Sequence, residues 1–401
     1  MDIVGLLYGF GIVQGMVLAG ILLFAPSGHR VANRFMAGLV IAIALSLLQS
    51  WLIRIGFYVR HPTGWLLIPA LSFSWGPLLY LYAYSLSTRS VSWHQIAHFI
   101  PTLLLFLANY TAFWGYSTEE QQSFLRYFWS SRADASLRQQ VMEIVPIFWR
   151  VWLDFHLQGN LFALQFGTYC FLVLGQIRQH NRSLKQHFSS LEHMNLRWLQ
   201  TLTLICLLFL VLFLIFNRSQ VMLAGYFDVD ALAPSAPFIF LVFLVYFIGT
   251  AAIFQSSLIR GEEVVDNIEN PKIAVDDKST KYRRSGLSSE DAEKYKTLIM
   301  RKMQDEKFYL ECDLTLPDFA KHTGLTPHQI SQVINEQMEQ SFFNFVSNYR
   351  IELAKQLMID PKTRNMPIVD LAVEVGFKSK SSFYNAFKKA TGMTPTQFKK
   401  T

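Results

Sequence analysis

Two sets of polar side chains near the end of the chain carry the most specific chemistry in it. His328, Ser331 and Gln332 fall on one face at helical spacing, and so do Lys380, Ser381 and Asn385. Groups that donate and accept hydrogen bonds from one helix face are what reading base edges in a DNA major groove requires. Lysines surround the second set. From Gly376 onward stand Lys378, Lys380, Lys388, Lys389, Lys399 and Lys400 without a single acid, which suits contact with phosphates. An ordinary basic helical surface would share this charge, but it would not explain the repeated scaffold beneath it.

That scaffold is a near-repeat. Asp318-Phe319-Ala320, three residues and Gly324-Leu325 recur as Asp370-Leu371-Ala372, three residues and Gly376-Phe377. Each copy reads as helix, glycine-bearing turn, helix, the layout of a helix-turn-helix. Ala320 and Ala372 are small enough for two helices to cross closely. Gly324 and Gly376 can take a positive φ after the first helix, and Leu325 and Phe377 turn back into the core. Thr326-Pro327 supplies a cap and a first-turn proline, and Ser379 can cap the equivalent helix of the second copy. Ile330, Val333 and Ile334, or Phe383 and Phe387, then form the buried faces. Upstream, Ser288-Ser289-Glu290-Asp291 marks another helix start, with acids in its first turn.

The stretch from about Ser289 to Thr401 resembles the DNA-binding domain of the AraC family of transcription regulators. The most specific string runs from Ile368-Val369-Asp370-Leu371-Ala372 through Gly376-Phe377 to Phe387-Lys388-Lys389 and Thr391-Gly392-Met393-Thr394-Pro395. Leu316 to Asn335 is similar to the family's first unit, and Ser341-Phe342, Tyr349-Arg350 and Ala354 resemble the long helix joining the two. The resemblance implies recognition helices in successive major grooves of double-stranded DNA. It makes His328, Ser331 and Gln332, with Lys380, Ser381, Ser382 and Asn385, the base readers. It also implies RNA polymerase as a partner and activation as the usual sign of regulation. Gln332 and Asn385 stand where the family often has arginine, so readout here relies less on arginine-to-guanine pairs.

The remainder of the chain has a different composition. Overall, 51% of the 401 residues are hydrophobic and only 16% charged, too apolar for an ordinary soluble protein of this size. The apolar residues concentrate before Ile259. Crossing about 30 Å of hydrocarbon takes about 20 apolar residues. Seven segments qualify: Ile3 to Ala25, Phe35 to Ile53, Trp65 to Leu86, Ile96 to Trp114, Leu157 to Gly175, Trp198 to Phe216 and Ser235 to Ile259. The first has no basic n-region and reads as a retained helix rather than a signal peptide. The sequence therefore predicts an all-α protein: a seven-transmembrane-helix bundle, residues 1–259, a tether, 260–287, and a soluble domain, 288–401. The first helix-turn-helix lies at about 316–336 and the second at about 367–391.

Charge orients the bundle. Arg178, Arg182, Lys185 and Arg197 face one acid, Glu192, in the compact connection after the fifth segment, while Arg126, Arg132 and Arg138 are diluted by Glu119, Glu120, Asp134 and Glu143. This density places the N-terminus outside an inner membrane and the C-terminal domain in the cytoplasm. The net charge of +7 suits lipid headgroups and nucleic acid alike.

Enzymatic chemistry has no foothold. No paired carboxylates lie in a span, and no G-x-S-x-G, phosphate-binding loop or H-E-x-x-H string occurs. Cys170, Cys206 and Cys312 show neither a disulfide nor a zinc spacing, and His180, His187 and His193 read as part of a solvated loop. No metal or cofactor is expected. Gln14, Gln49, Asn109 and Gln165 could line a ligand cavity, although hydrogen bonds between helices are the simpler role. Aromatic residues from Phe124 to Trp152 read as a belt at the headgroup level. The leading function is a one-component regulator whose membrane part receives a signal, with a homodimer left open. The alternatives are a transporter or membrane enzyme with an accessory DNA-binding module, and a passive tether.

Overall fold

A computed structural model describes residues 3–24, 30–62, 69–88, 92–129, 155–190, 196–223, 236–254 and 288–400, with four single positions between 130 and 150. The 260–287 tether and His193 lie outside the described residues, as do Phe148, Trp149 and Trp152. The chain divides into one compact unit of Met1–Ile177 and Arg197–Asn267 and a second of Arg178–Leu196 and Ile268–Thr401. Every named element is helical, and among the described residues the only β pairing is one isolated bridge.

The first unit contains α1 (Ile3–Phe24), α2 (Arg30–Arg54), α3 (Trp75–Thr88), α4 (Ile100–Trp114), α5 (Thr118–Trp129), α6 (Phe155–His187), α7 (Arg197–Leu223) and α8 (Ala236–Phe254). Helix α6 continues beyond this unit. Small residues let the first helices approach closely: a Cβ on Gly11 would stand 2.9 Å from Leu47 of α2 and 3.1 Å from Val242 of α8. Asn109 accepts from Gln158 Nε2 at 3.2 Å, and Gln165 donates to the Phe73 carbonyl at 3.0 Å. These two side chains therefore join neighbouring elements, as the simpler reading holds. Outward faces remain apolar, with Phe10, Val13 and Val17 on α1, Leu164 and Phe171 on α6, and Leu208, Val211 and Ile215 on α7 exposed.

Helices occur over all seven expected segments, but only four among the described residues are long and apolar enough to cross a membrane: Ile3–Phe24, Arg30–Arg54, Gln158–His187 and Arg197–Phe216. Prolines explain two of the shorter ones. Before α3 the chain forms a 3₁₀ segment, Pro69–Ser74, and Gly76-Pro77 opens the α-helix; before α4 it forms Trp93–Phe99, with Pro101 in the first turn. Proline lacks the N–H a helix interior needs and is tolerated in a first turn, so hydropathy runs on where the helix does not.

The fifth segment departs the other way. Instead of ending at Gly175, α6 continues to His187. Residues 176–187 contain neither glycine nor proline, and Lys185 and His187 sit in the last turn, where cations complement the helix dipole. Arg178, Arg182, Lys185, His180 and His187 thus lie on a helix rather than in a loop.

The second unit adds α9 (Ser289–Asp305), α10 (Leu316–Thr323), α11 (Pro327–Gln337), α12 (Phe342–Ile359), α13 (Ile368–Glu374), α14 (Lys380–Thr391) and α15 (Pro395–Phe398). Ser288 caps α9, accepting from the Asp291 amide. Two cores form. Ile299, Met303, Phe319, Ile330, Val333, Phe342 and Phe345 belong to one, and Ile351, Ala354, Met358, Leu371, Phe377, Phe383 and Phe387 to the other. Helix α12 gives its N-terminal half to the first core and its C-terminal half to the second, so one helix fixes the two halves relative to each other.

Candidate nucleic-acid interface

Each half presents one helix on a capped, glycine-turned scaffold. In the first, Thr315 caps α10 by accepting from the Asp318 amide, and its hydroxyl holds the Asp318 carboxyl below the usual carboxylate range. Gly324 closes that helix at φ 70°, its N–H donating to the Ala320 carbonyl at 3.1 Å. Thr326 and Gln329 then form a reciprocal capping box around Pro327, which fixes where α11 begins. In the second half Gly376 turns at φ 89°, Phe377 donates to the Ala372 carbonyl at 2.8 Å, and Ser379 caps α14 by accepting from the Ser382 amide. Ala320, Ala372, Ile330, Val333, Ile334, Phe383 and Phe387 are buried, as their spacing implies.

The faces left outward by this burial hold most of the expected readers. His328 is exposed at the start of α11, and Ser331 and Gln332 follow on its half-buried flank. Both are engaged along their own helix. Asn335 donates to Ser331 Oγ, and Gln332 Nε2 donates to Glu336, each at 3.1 Å. On α14, Lys380, Ser381 and Asn385 are exposed, with the Lys380 ammonium 5.5 Å from the centre of the Tyr384 ring. Lys388 and Lys389 project from its last turn, and Lys389 donates to Asn344 Oδ1 at 3.3 Å.

Two of the expected residues are committed elsewhere. Ser382 is half-buried and donates its hydroxyl to the Ser379 carbonyl at 2.9 Å, reinforcing the cap. Lys378 lies in the turn before α14 and pairs with Asp313, across to the first half. Sequence reasoning missed three contributors. Glu336 puts an acid one turn beyond Gln332, a position visible in the sequence. Asp313 holds Lys378. Arg350, noted only within a family-like pair, is 1% exposed on α12 and donates from Nε to the Tyr309 carbonyl at 2.6 Å and from Nη2 to the Glu311 carbonyl at 2.7 Å.

A basic face of this kind neutralises phosphates by releasing counterions. Replacing Lys388 and Lys389 together by alanine should weaken binding to all duplexes alike and lower the slope of log affinity against log salt by about 2. Titrations at several salt concentrations check this; an unchanged slope would remove both lysines from the phosphate contacts.

Residues 319–401 match the family described as Helix-turn-helix domain. The chain is 31% identical over 87 residues to the melibiose operon regulatory protein of Escherichia coli strain K12, covering 22% of this chain and 28% of that protein. It is 30% identical over 89 residues to the arabinose operon regulatory protein of the same strain, covering 22% of this chain and 30% of the relative. An HTH-type transcriptional regulator of Bacillus subtilis is 30% identical over 89 residues, 11% of its own length. The chain thus spans less than a third of each of these relatives. No solved structure matches it. The C-terminal unit is a helix-turn-helix domain of the AraC family of DNA-binding regulators.

Proposed function

We propose that the whole chain is a one-component transcription regulator held in the cytoplasmic membrane, which activates transcription by placing its two recognition helices on DNA near RNA polymerase. The observation that carries this reading is one chain joining two units of opposite solvent preference. Helices of the first expose large apolar side chains on their outer faces, which suits lipid and not water. The second has two small cores, capped helices and a basic outer helix. Seven spans put the N-terminus outside and the C-terminal unit in the cytoplasm beside the genome. The proposed readers are His328, Ser331 and Gln332 on α11 and Lys380, Ser381 and Asn385 on α14. Lys388 and Lys389 serve phosphates, Lys378 ties the turn before α14 to Asp313, and Ser382 fixes the start of α14.

The relatives are named as regulators of the arabinose and melibiose operons, and the family match covers residues 319–401, outside the first unit. The signal received there is accordingly not a property taken from them. Two reading units on one chain make dimerisation unnecessary for a bipartite site, although a homodimer could pair the membrane units.

Topology gives the direct test of the arrangement. A reporter active only in the cytoplasm should function when fused after Arg260 and be silent after Trp114. The reverse pattern would place the DNA-binding unit on the wrong side of the membrane and refute the proposal. Substrate flux through vesicles containing the chain would favour the transporter alternative.

A further inference from the structure

The stretch that ends α6 is part of the DNA-binding unit and not only a connection. After His187 the chain leaves the helix and pairs Phe188 with Thr315 in an antiparallel bridge. The Ser189 amide donates to the Leu314 carbonyl at 3.1 Å. Thr315 is the cap of α10, so the bridge falls where the first helix-turn-helix begins. Ser189 is 1% exposed, though it is a small polar residue just outside a long charged helix end.

What buries it is Arg350. The guanidinium Nη1 donates to the Ser189 carbonyl at 3.3 Å, and Nη2 reaches the Ser189 hydroxyl at 3.4 Å. The same cation holds Tyr309 and Glu311 in the first half and stands 5.4 Å from the centre of the Phe377 ring in the core of the second. Burial lowers the Arg350 pKa to about 10, so it remains charged at neutral pH. Ser189 therefore touches the one helix that fixes both reading units relative to each other.

We infer that Phe188–Ser189 is a releasable docking strap, and that the surface made by Leu314, Thr315 and Arg350 is its receptor, through which displacement of α6 alters the DNA-binding unit. This rests on the regulator reading above. Release is chemically feasible because the two Arg350 bonds to Ser189 are the longer ones, while the shorter bonds to Tyr309 and Glu311 stay inside the domain. Water can take the place of Ser189 on Nη1 and on the Leu314 carbonyl. Helix α6 runs without a break from an exposed apolar face to the strap, so a shift of that helix is delivered at the cap of α10. To act as a switch, the strap must favour one DNA-binding state over another, since docking that is indifferent to state shifts no population.

The test is a reversible lock. Because Ser189 N–H bonds the Leu314 carbonyl, Phe188 and Thr315 form a non-hydrogen-bonded antiparallel pair, with Cα atoms about 4.5 Å apart, inside the range a disulfide accepts. The full chain carrying Phe188→Cys and Thr315→Cys, with Cys312→Ser to remove the nearby thiol, is reconstituted in phospholipid nanodiscs. Rapid, near-complete disulfide formation is expected. The oxidised and reduced forms should differ at least three-fold in affinity for one duplex chosen by site selection, and Ser189→Pro, which lacks the donor to Leu314, should depart from the oxidised form in the same sense as the reduced one. Oxidised and reduced samples are one protein, so a folding defect in the proline variant leaves the comparison intact. Failure to cross-link would show that the strap does not dock; cross-linking with equal affinities would reduce it to packing. Either result overturns the proposal. Absence of DNA binding in both forms would instead sink the regulator reading, while cross-link yield would still decide the docking.

Discussion

Alanine at Gly376 should cripple the second helix-turn-helix unit, whereas alanine at Gly324 should be tolerated. The two glycines occupy equivalent turns with similar positive φ, 89° and 70°, so the cost of a left-handed alanine, about 1–2 kcal/mol, is common to both. Their surroundings differ. A Cβ on Gly376 would lie 2.6 Å from the Tyr309 carbonyl oxygen and 2.9 Å from that of Leu310, whereas one on Gly324 would meet nothing within 4 Å. Those neighbours are backbone and cannot swing away, and one of them is held by Arg350. The clash adds about 1–3 kcal/mol to the φ cost, as overpacking does, giving roughly 3 kcal/mol or more at Gly376. Every tryptophan precedes Arg260, so tryptophan fluorescence is blind to this unit. Pulse proteolysis of the full chain, followed at a C-terminal tag, measures it instead. Equal losses at the two positions would show that turn conformation, and not the close approach of the halves, sets the requirement for glycine.

Arg350→Ala should be at least as damaging, and in a different way. It removes a buried charged donor from the carbonyls of Tyr309, Glu311 and Ser189, and only that of Glu311 also accepts from the Leu314 amide. Losing such a buried, charge-assisted set costs about 3–5 kcal/mol, a large share of the 5–15 kcal/mol that holds a typical domain together. Arg350→Lys keeps the charge but has no planar fork to serve three acceptors, so it should fall between wild type and alanine. Because α12 contributes to both cores, DNA binding should fail at both half-sites together. Quantitative footprinting at a fixed occupied fraction checks this. Loss confined to one half-site would mean that the halves are held independently of α12.

Much of the second unit was legible because its signals are local. Thr326, Ser379 and Ser288 accept from amides three residues further on, and the alternation of Ile330, Val333 and Ile334 needs only a helix to place it. Arg350 was not legible, since its partners are carbonyls supplied by residues 309–311 and by Ser189, the latter 161 residues away in sequence. In the apolar unit hydropathy located the helices but not their lengths. It averages over Pro69, Pro77 and Pro101, which set where helix begins, and the charges after Gly175 looked like a loop although the residue types there favour helix. Ser382 shows a related confusion: a serine in the first turn after a capping serine serves the cap before it can serve a base.

One chain that reads DNA at two places, through two differently furnished helices, should select a two-part site. Selection of randomised duplex by the full chain, repeated for Gln332→Ala and Asn385→Ala, measures this. Two conserved blocks about one helical turn apart, roughly 34 Å, are expected, because the units must enter successive major grooves from one side. Gln332 and Asn385 both suit adenine, and each substitution should relax its own block alone, by about 1–3 kcal/mol at the affected base. A single conserved block, or two substitutions that disturb the same positions, would contradict the bipartite account and leave one working helix-turn-helix in its place.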